Sequence, residues 1–260
     1  MMMTDAPGYE HLRAEDHGGV RVLTIDRPEA KNALNAPLRR ALRSSLRAAD
    51  RDDAVRAVVL TAVDPVFSAG VDFKDVGGRG DGDAAVGPTD NPAAVLRAVR
   101  TPVICAVNGA CVSGALELAL SATFIVASER ARFADTHALL GVVPTWGLSA
   151  LLPRAIGVRK AGELSITGSF LGAEEALRLG LVNHVVEHDE LLSFALGLAE
   201  AVPATSAVGD MLELYRRGED LSVAGALASE MAFSAGRSYD VAAFAAAGRA
   251  TAARQRDAGR

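Results

Sequence analysis

Two apolar segments that each contain small residues, together with one acidic residue, are the strongest indication of a catalytic site in this sequence. The first segment covers residues 66–74 and contains Ser-Ala-Gly, and the second covers residues 106–120 and contains Ser-Gly-Ala. Small residues let a backbone approach a ligand closely. Glu117 falls in the first turn of the helix that the second segment predicts. Two backbone N–H groups beside one carboxyl group are typical of a site that stabilises a negative oxygen while a proton moves.

The composition is that of a soluble globular protein. The 260 residues suffice for one sizeable domain, and half of them are hydrophobic while 23% are charged. A net charge of -5 argues against a nucleic-acid-binding protein, because such proteins present a basic face. No apolar run approaches the length of a membrane span, and residues 1–17 lack the apolar core of a signal peptide. We therefore expect a cytoplasmic protein with neither a nucleic-acid nor a membrane partner.

The cysteine and histidine positions do not predict a metal site. Cys105 and Cys111 both lie in apolar sequence, so we expect buried, reduced thiols and no disulfide. His11, His17, His184 and His188 lack the spacing of metal ligands, and surface positions are expected for them.

The elements that must position the two segments alternate between strands and helices. Residues 20–26 alternate apolar and polar side chains and predict a strand, and the continuous apolar run at 57–62 predicts a strand buried on both faces. Helical spacing of leucines predicts a helix over 34–50, with Asn35 as N-cap and Pro37 in the first turn. This order of elements indicates an α/β fold with a covered, largely parallel sheet.

The same alternation continues to about residue 190. Further extended segments are predicted at 103–107, 123–127, 131–134 and 181–186, and further helices at 93–99, 114–121, 148–156, 160–167 and 173–179. Residues 77–91 are rich in Gly, Asp and Pro and predict a long loop of the kind that often forms a lid or a binding loop. Every periodic segment after residue 189 is helical. We expect a core over residues 1–200 and a helical region over residues 201–260.

Several motifs in the chain resemble, in order, those of the enoyl-CoA hydratase/isomerase (crotonase) superfamily. They are RPEAKNALN at 27–35, FSAGVDFK at 67–74, TPVICAVNG at 101–109, GVVP at 141–144, LPR at 152–154 and residues 167–185. The resemblance implies a crotonase-like spiral of ββα units, followed by C-terminal helices that serve in trimerisation or as a lid. It also implies a homotrimer or a dimer of trimers.

The resemblance further implies an acyl-CoA thioester substrate and an enolate-like thioester oxygen. By motif position, the backbone N–H groups of Ala69 and Gly114 are the expected donors to that oxygen, and Glu117 is the expected catalytic acid and base. Each donor contributes roughly 3–4 kcal/mol in comparable sites. The apolar neighbours of Glu117 are expected to raise its pKa. Coenzyme A is part of the substrate, so no separate cofactor is implied.

His137 stands at the position where hydratases of the superfamily have a second catalytic glutamate. It replaces that carboxylate in holding water or passing a proton, or it shapes the pocket while Glu117 works alone, or it is a structural histidine. Asp135 can orient His137 if the chain bends between them. If the chain is extended there, the two side chains share a face.

The motifs also match positions that contact coenzyme A in the family. The residues implied to contact its adenine and pantetheine parts are Lys31, Ala33, Asn35 and Asp72. Lys74 lies near them, either as a point charge for a phosphate or as a solvated side chain. Trp146 replaces a residue that is small in many members. It narrows the acyl pocket, stacks on a flat acyl group, or is a plain core tryptophan.

These observations predict first an enoyl-CoA hydratase that adds water to a 2-enoyl-CoA thioester. Because one base can move a proton between two carbons, an enoyl-CoA isomerase or another enolate-forming acyl-CoA enzyme is the second hypothesis. A non-catalytic acyl-CoA binding protein that lost activity with the second carboxylate is the third.

Overall fold

The computed structural model describes residues 10–72, 91–237, 244–245 and 248–249. Lys74 and the loop predicted at 77–91, apart from its last residue, lie outside these ranges. The chain divides into two compact units, Met1–Asp210 and Met211–Arg260. The functional division that we expected, with a trimerisation or lid region after residue 200, stays a prediction.

Strands of the first unit form a six-stranded and a three-stranded sheet. The strands are β1 (Leu12–His17), β2 (Val20–Ile25), β3 (Ala57–Ala62), β4 (Val103–Val107), β5 (Ala110–Val112), β6 (Phe124–Ser128), β7 (Arg132–Ala134), β8 (Phe170–Gly172) and β9 (His184–Val186). The larger sheet has the order β1-β2-β3-β4-β6-β9, and all its pairs are parallel except β1 with β2. The smaller has the order β5-β7-β8.

Two of the helices each follow a pair of strands, as in the ββα repeat of the expected fold. The helices are α1 (Ala36–Asp50), α2 (Pro92–Ala98), α3 (Gly114–Leu120), α4 (Leu148–Ile156), α5 (Val158–Thr167), α6 (Ala173–Leu179), α7 (Leu191–Glu200), α8 (Ala207–Gly218) and α9 (Val223–Ala235). Short 3-10 helices lie at Pro28–Ala30, Ala138–Leu140 and His188–Glu190. Thus β1 and β2 lead to α1, and β4 and β5 lead to α3.

The larger sheet buries apolar side chains on both faces. Alternate residues of a strand point to opposite faces. On one face, Leu23 and Ile25 pack in the cluster that contains the α1 leucines, while Val20 and Val22 pack on the other face in the cluster that contains α7. Burial of these side chains supplies the main free energy of folding. A sheet covered on both faces provides rigid strand ends from which the chain can present a site.

Most elements agree with the predicted ones, and the differences have a physical cause. Strands β3 and β4 have the predicted bounds, and the N-cap and first-turn proline of α1 are as expected. Strand β1 was not expected, because only Leu12 of its six residues is buried and the rest are largely polar. Strands β5 and β8, of three residues each, were also not expected.

Both cysteines are buried and unbonded, and burial raises the pKa of each thiol. Within the described ranges, no helix is long and apolar enough to cross a membrane. The same ranges contain no group of three or more His, Cys, Asp and Glu side chains arranged to hold a metal ion.

The N-cap of α1 gives a direct test of this local structure. Asn35 Oδ1 accepts a hydrogen bond from the Leu38 N–H at 2.9 Å. We expect Asn35→Ala to lower the free energy of unfolding by about 1 kcal/mol, because a helix-end N–H loses its acceptor. Denaturant titration measures this change. Asn35→Ser keeps an oxygen acceptor and should cost much less, so equal losses in the two variants would contradict the capping role.

Candidate active site

Helix α3 places Glu117 in the interior, one turn after an unusual backbone conformation. Ser113, the residue before the helix, has φ of 49° and ψ of -108°. Residues other than glycine rarely adopt this backbone conformation. Its Oγ bonds with Thr136 Oγ1 at 2.8 Å and accepts from the Thr136 N–H at 2.9 Å. The fixed turn directs α3 so that the Glu117 side chain is almost fully buried.

The Glu117 carboxyl group is held by two backbone N–H groups. Its Oε1 accepts from Trp146 N at 2.6 Å and from Leu148 N at 3.2 Å. Burial raises the pKa of Glu117 above its ordinary value of 4.5, although both hydrogen bonds and the nearby His137 ring oppose the shift. The result is a fixed carboxyl group that holds a proton more readily than an exposed glutamate does.

His137 lies on the other side of the same carboxyl group. The chain bends after β7, and Asp135 Oδ1 accepts from both the His137 backbone N–H at 3.1 Å and His137 Nδ1 at 2.6 Å. His137 Nε2 lies 3.8 Å from Glu117 Oε2. The bend is therefore the arrangement in which Asp135 orients the imidazole ring.

The ionisation of Asp135 determines which ring nitrogen carries the proton. Burial alone would raise the pKa of Asp135, but hydrogen bonds from His137 and Ser165 outweigh it and hold the pKa below its ordinary value. An ionised carboxylate only accepts hydrogen bonds, so Nδ1 of His137 carries a proton. In the neutral ring, Nε2 is then left with a lone pair facing Glu117.

Of the two backbone N–H groups that we expected to donate to a ligand, that of Ala69 already has an acceptor within the protein and that of Gly114 has none among the described residues. The Ala69 N–H already donates to the Lys31 carbonyl at 3.0 Å, which differs from our expectation for that group. The backbone N–H group close to Gly114 is that of Val71 and not that of Ala69. A methyl group added to Gly114 would lie 3.3 Å from Val71 N. Within the described part of the chain, neither Val71 N nor Gly114 N donates a hydrogen bond.

The residues expected to contact coenzyme A lie together near the start of α1, and several have internal partners. Arg27 Nη1 donates to the Ala33 carbonyl at 3.0 Å and to Asp72 Oδ2 at 2.6 Å. The Asn35 side chain caps α1, and the Lys31 side chain is exposed. Their contacts with coenzyme A, and the role of Lys74 outside the described ranges, stay predictions.

Trp146 is part of the core and also borders the site. Only 2% of it is exposed, and its Cζ3 would lie 3.5 Å from a methyl group on Gly114. Its indole Nε1 is buried without a hydrogen-bond partner among the described residues. Trp146 is therefore a core side chain beside Gly114, and a core position was one of the three roles that the sequence left open for it. Its effect on the acyl group stays a prediction.

Sequence reasoning missed the N–H groups of Val71, Trp146 and Leu148. A backbone donor has no side-chain signature, so no residue type reveals it. The one signal in the sequence was Gly70. In the structure it has φ of 94°, a conformation that favours glycine, and the chain turns there just before the Val71 N–H group.

Comparison with known proteins identifies the family of the chain. The sequence profile of the family described as Enoyl-CoA hydratase/isomerase matches residues 15–218. A protein named "Probable enoyl-CoA hydratase" in Rhizobium meliloti (strain 1021) is 41% identical over 224 residues, which cover 85% of this chain and 87% of that protein. The crystal structure of an enoyl-CoA hydratase from Mycobacterium paratuberculosis is 43% identical with a TM-score of 0.73, covering 86% of this chain and 95% of that chain.

The raised pKa of Glu117 predicts how stability depends on pH. A carboxyl group whose pKa rises on folding stabilises the folded state while protonated, and this contribution is lost as pH rises through the folded-state pKa. Glu117→Gln removes that loss. We therefore expect the free energy of unfolding of Glu117→Gln, minus that of the unchanged protein, to increase as pH rises above about 4.5.

Denaturant titration across a pH series measures this difference. Glu174→Gln is the matched control, because Glu174 is an exposed residue on α6. Its difference from the unchanged protein should stay flat across the same series. A flat difference for Glu117→Gln as well would show that the Glu117 carboxyl group is not destabilised by burial.

Proposed function

Because the chain belongs to the enoyl-CoA hydratase/isomerase family, we propose that it adds water across the 2,3 double bond of a 2-enoyl-CoA thioester. One observation carries this proposal: the buried Glu117 carboxyl group lies 3.8 Å from His137 Nε2. Two groups that can each hold or pass a proton therefore face the same space. Acid and base work of this kind is what hydration of a double bond requires.

We propose that the thioester oxygen binds the N–H groups of Val71 and Gly114. The supporting observations are their proximity and their lack of partners among the described residues. Negative charge develops on this oxygen when a nucleophile adds to the β carbon. Donors that are already in place stabilise the charge without reorganising. The start of α3 at Gly114 adds the partial positive charge of a helix N-terminus.

Glu117 is the principal acid and base in this proposal. Its Oε2 accepts a proton from water as the water oxygen bonds to the β carbon, and the carboxyl group then delivers a proton to the α carbon. Hydroxide and proton are thus both added, and Glu117 returns to its starting state. His137 holds the same water through Nε2, because Asp135 keeps the proton on Nδ1. The imidazole takes the place of the missing second carboxylate.

A second candidate function follows from that replacement. With a single catalytic carboxyl group, Glu117 can remove a proton from one carbon and return it to another. This chemistry moves a double bond without adding water, and it uses the same oxyanion donors. Double-bond isomerisation or another enolate-forming reaction is therefore the alternative, and a non-catalytic acyl-CoA binding protein is the next.

We also propose that the chain assembles with copies of itself, as a homotrimer or a dimer of trimers. Support comes from apolar side chains of the first unit that are more than half exposed, and Leu139 among them lies against Gly168. These side chains are Leu139, Val143, Val158, Ile166 and Phe170. Exposed apolar side chains in such numbers are typical of surfaces that are covered by another chain.

Replacing the acid tests the reaction. We expect Glu117→Gln to lower kcat for 2-enoyl-CoA hydration by on the order of 10² to 10⁴, with a much smaller effect on KM, because the amide cannot accept or deliver the proton. The loss of absorbance of the conjugated thioester measures the rate. Glu174→Gln serves as control and should retain the activity of the unchanged protein.

The same assay separates the alternatives when 3-enoyl-CoA esters of several lengths are included. Double-bond movement without hydration supports the isomerase. Tight binding without turnover supports the acyl-CoA binding protein. An undiminished hydration rate in Glu117→Gln would remove the mechanism proposed here.

The oxyanion donors can be tested by adding one methyl group. In Gly114→Ala the new carbon would lie 2.9 Å from Val71 Cγ2 and 3.3 Å from Val71 N. We expect the displaced donor to lower kcat by on the order of 10². Gly162→Ala on α5 is the matched control, since a methyl group there meets nothing within 4 Å. Equal activity in the two variants would contradict the assignment of Gly114 as a donor.

A further inference from the structure

Arg97 connects α2 to the turn that holds the Glu117 carboxyl group. It lies in the last turn of α2 and is half-buried. Its Nη1 donates to the Trp146 carbonyl at 2.9 Å and to Ser121 Oγ at 2.8 Å. One guanidinium group therefore contacts two segments that are distant from α2 along the chain.

The Trp146 carbonyl belongs to the peptide that separates the two amides bonded to Glu117. Trp146 N precedes that peptide and Leu148 N follows it, and both donate to Glu117 Oε1. Between them, Gly147 has φ of 120°, and a methyl group on it would lie 3.1 Å from Arg97 Nη1. Fixing the middle peptide fixes the direction of the N–H groups on either side.

The second contact of Arg97 leads to the backbone of Glu117. Ser121 Oγ, which accepts from Arg97, itself donates to the Glu117 carbonyl at 2.8 Å. The same guanidinium group is thus bonded to the turn that holds the Glu117 side chain and to the serine that bonds the Glu117 main chain. Loss of the guanidinium would loosen both ends of the residue at once.

We propose, on the basis of the function inferred above, that Arg97 is a positioning residue that aligns the Glu117 carboxyl group for proton transfer. It acts through the 146–148 turn and through Ser121, and it does not touch the reacting atoms. Misplacement of a catalytic group by about 1 Å can cost on the order of 10² in rate. Without Arg97, the two N–H groups no longer have a fixed direction toward Oε1.

The charged groups around Glu117 give the expected direction of a pH effect. His137 and Asp135 face the carboxyl group from the end of β7, and the Leu148 and Trp146 N–H groups face it from the 146–148 turn. These N–H groups lower the pKa of Glu117 against the effect of burial. Weakening them while His137 and Asp135 stay in place should move the pKa upward.

The test compares Arg97→Met with Arg97→Lys and with Arg100→Met as a matched control. Arg100 lies close by in the chain, but it pairs with Asp210 at a more exposed position. For 2-enoyl-CoA hydration we expect Arg97→Met to lower kcat at least tenfold with KM changed less than threefold, by analogy with other misaligned sites. The acidic limb of its kcat profile should move to higher pH. Arg97→Lys should recover part of both effects, and Arg100→Met should show neither.

A readout besides activity uses the single tryptophan of the chain, Trp146. Its fluorescence should change as Glu117 titrates, and this transition should be absent in Glu117→Gln. The midpoint should move to higher pH in Arg97→Met and by less in Arg97→Lys. Unchanged midpoints and kcat profiles in both variants would overturn the role of Arg97.

The two proposals fail in different ways. If the unchanged protein does not hydrate 2-enoyl-CoA, the proposed function fails, while the fluorescence midpoints still test whether Arg97 positions Glu117. If Arg97→Met does not fold, Arg97→Lys carries the test alone. An Arg97→Lys midpoint and kcat profile equal to those of the unchanged protein would then overturn the positioning role.

Discussion

The structure of the candidate site depends on one interaction: two backbone N–H groups donate hydrogen bonds to the buried carboxyl group of Glu117. Burial disfavours the ionised form of Glu117, and the N–H groups of Trp146 and Leu148 offset part of that cost. The carboxyl group therefore stays able to change its protonation state inside the protein. The strained Ser113 conformation that begins α3 and the glycine conformation at 147 bring donors and acceptor together.

Two carboxyl groups of the site have their pKa values moved in opposite directions by their surroundings. Hydrogen bonds from His137 and Ser165 keep the pKa of Asp135 low, while burial raises that of Glu117. The His137 ring lies between them: Nδ1 is hydrogen-bonded to Asp135 Oδ1, and Nε2 lies 3.8 Å from Glu117 Oε2. Environments that separate the pKa values of neighbouring groups are how one site obtains distinct acid and base roles. The proposed role of His137 in place of a second catalytic carboxylate depends on this arrangement.

The sequence predicts much of the fold because its elements carry local signals. The α1 leucines, the apolar run of β3 and the Gly180 cap of α6 each depend on neighbouring residues only. The short strands β5 and β8 carry no such signal. In the site, the family motifs lead to Glu117 and His137, which the structure places 3.8 Å apart. They do not show that the Ala69 N–H is used by Lys31, because that hydrogen bond joins residues far apart in the chain.

The use of main-chain donors to hold Glu117 has a consequence for how such a protein can evolve. Every amino acid except proline supplies the same N–H group. The two bonds to the carboxyl oxygen therefore set no requirement on the side chains of residues 146 and 148, which are constrained instead by their burial in the core. Trp146, beside Gly114, is one such side chain. Mutation to another side chain that fills the same space can alter the surroundings of Gly114 while the hydrogen bonds that hold the Glu117 carboxyl group are kept.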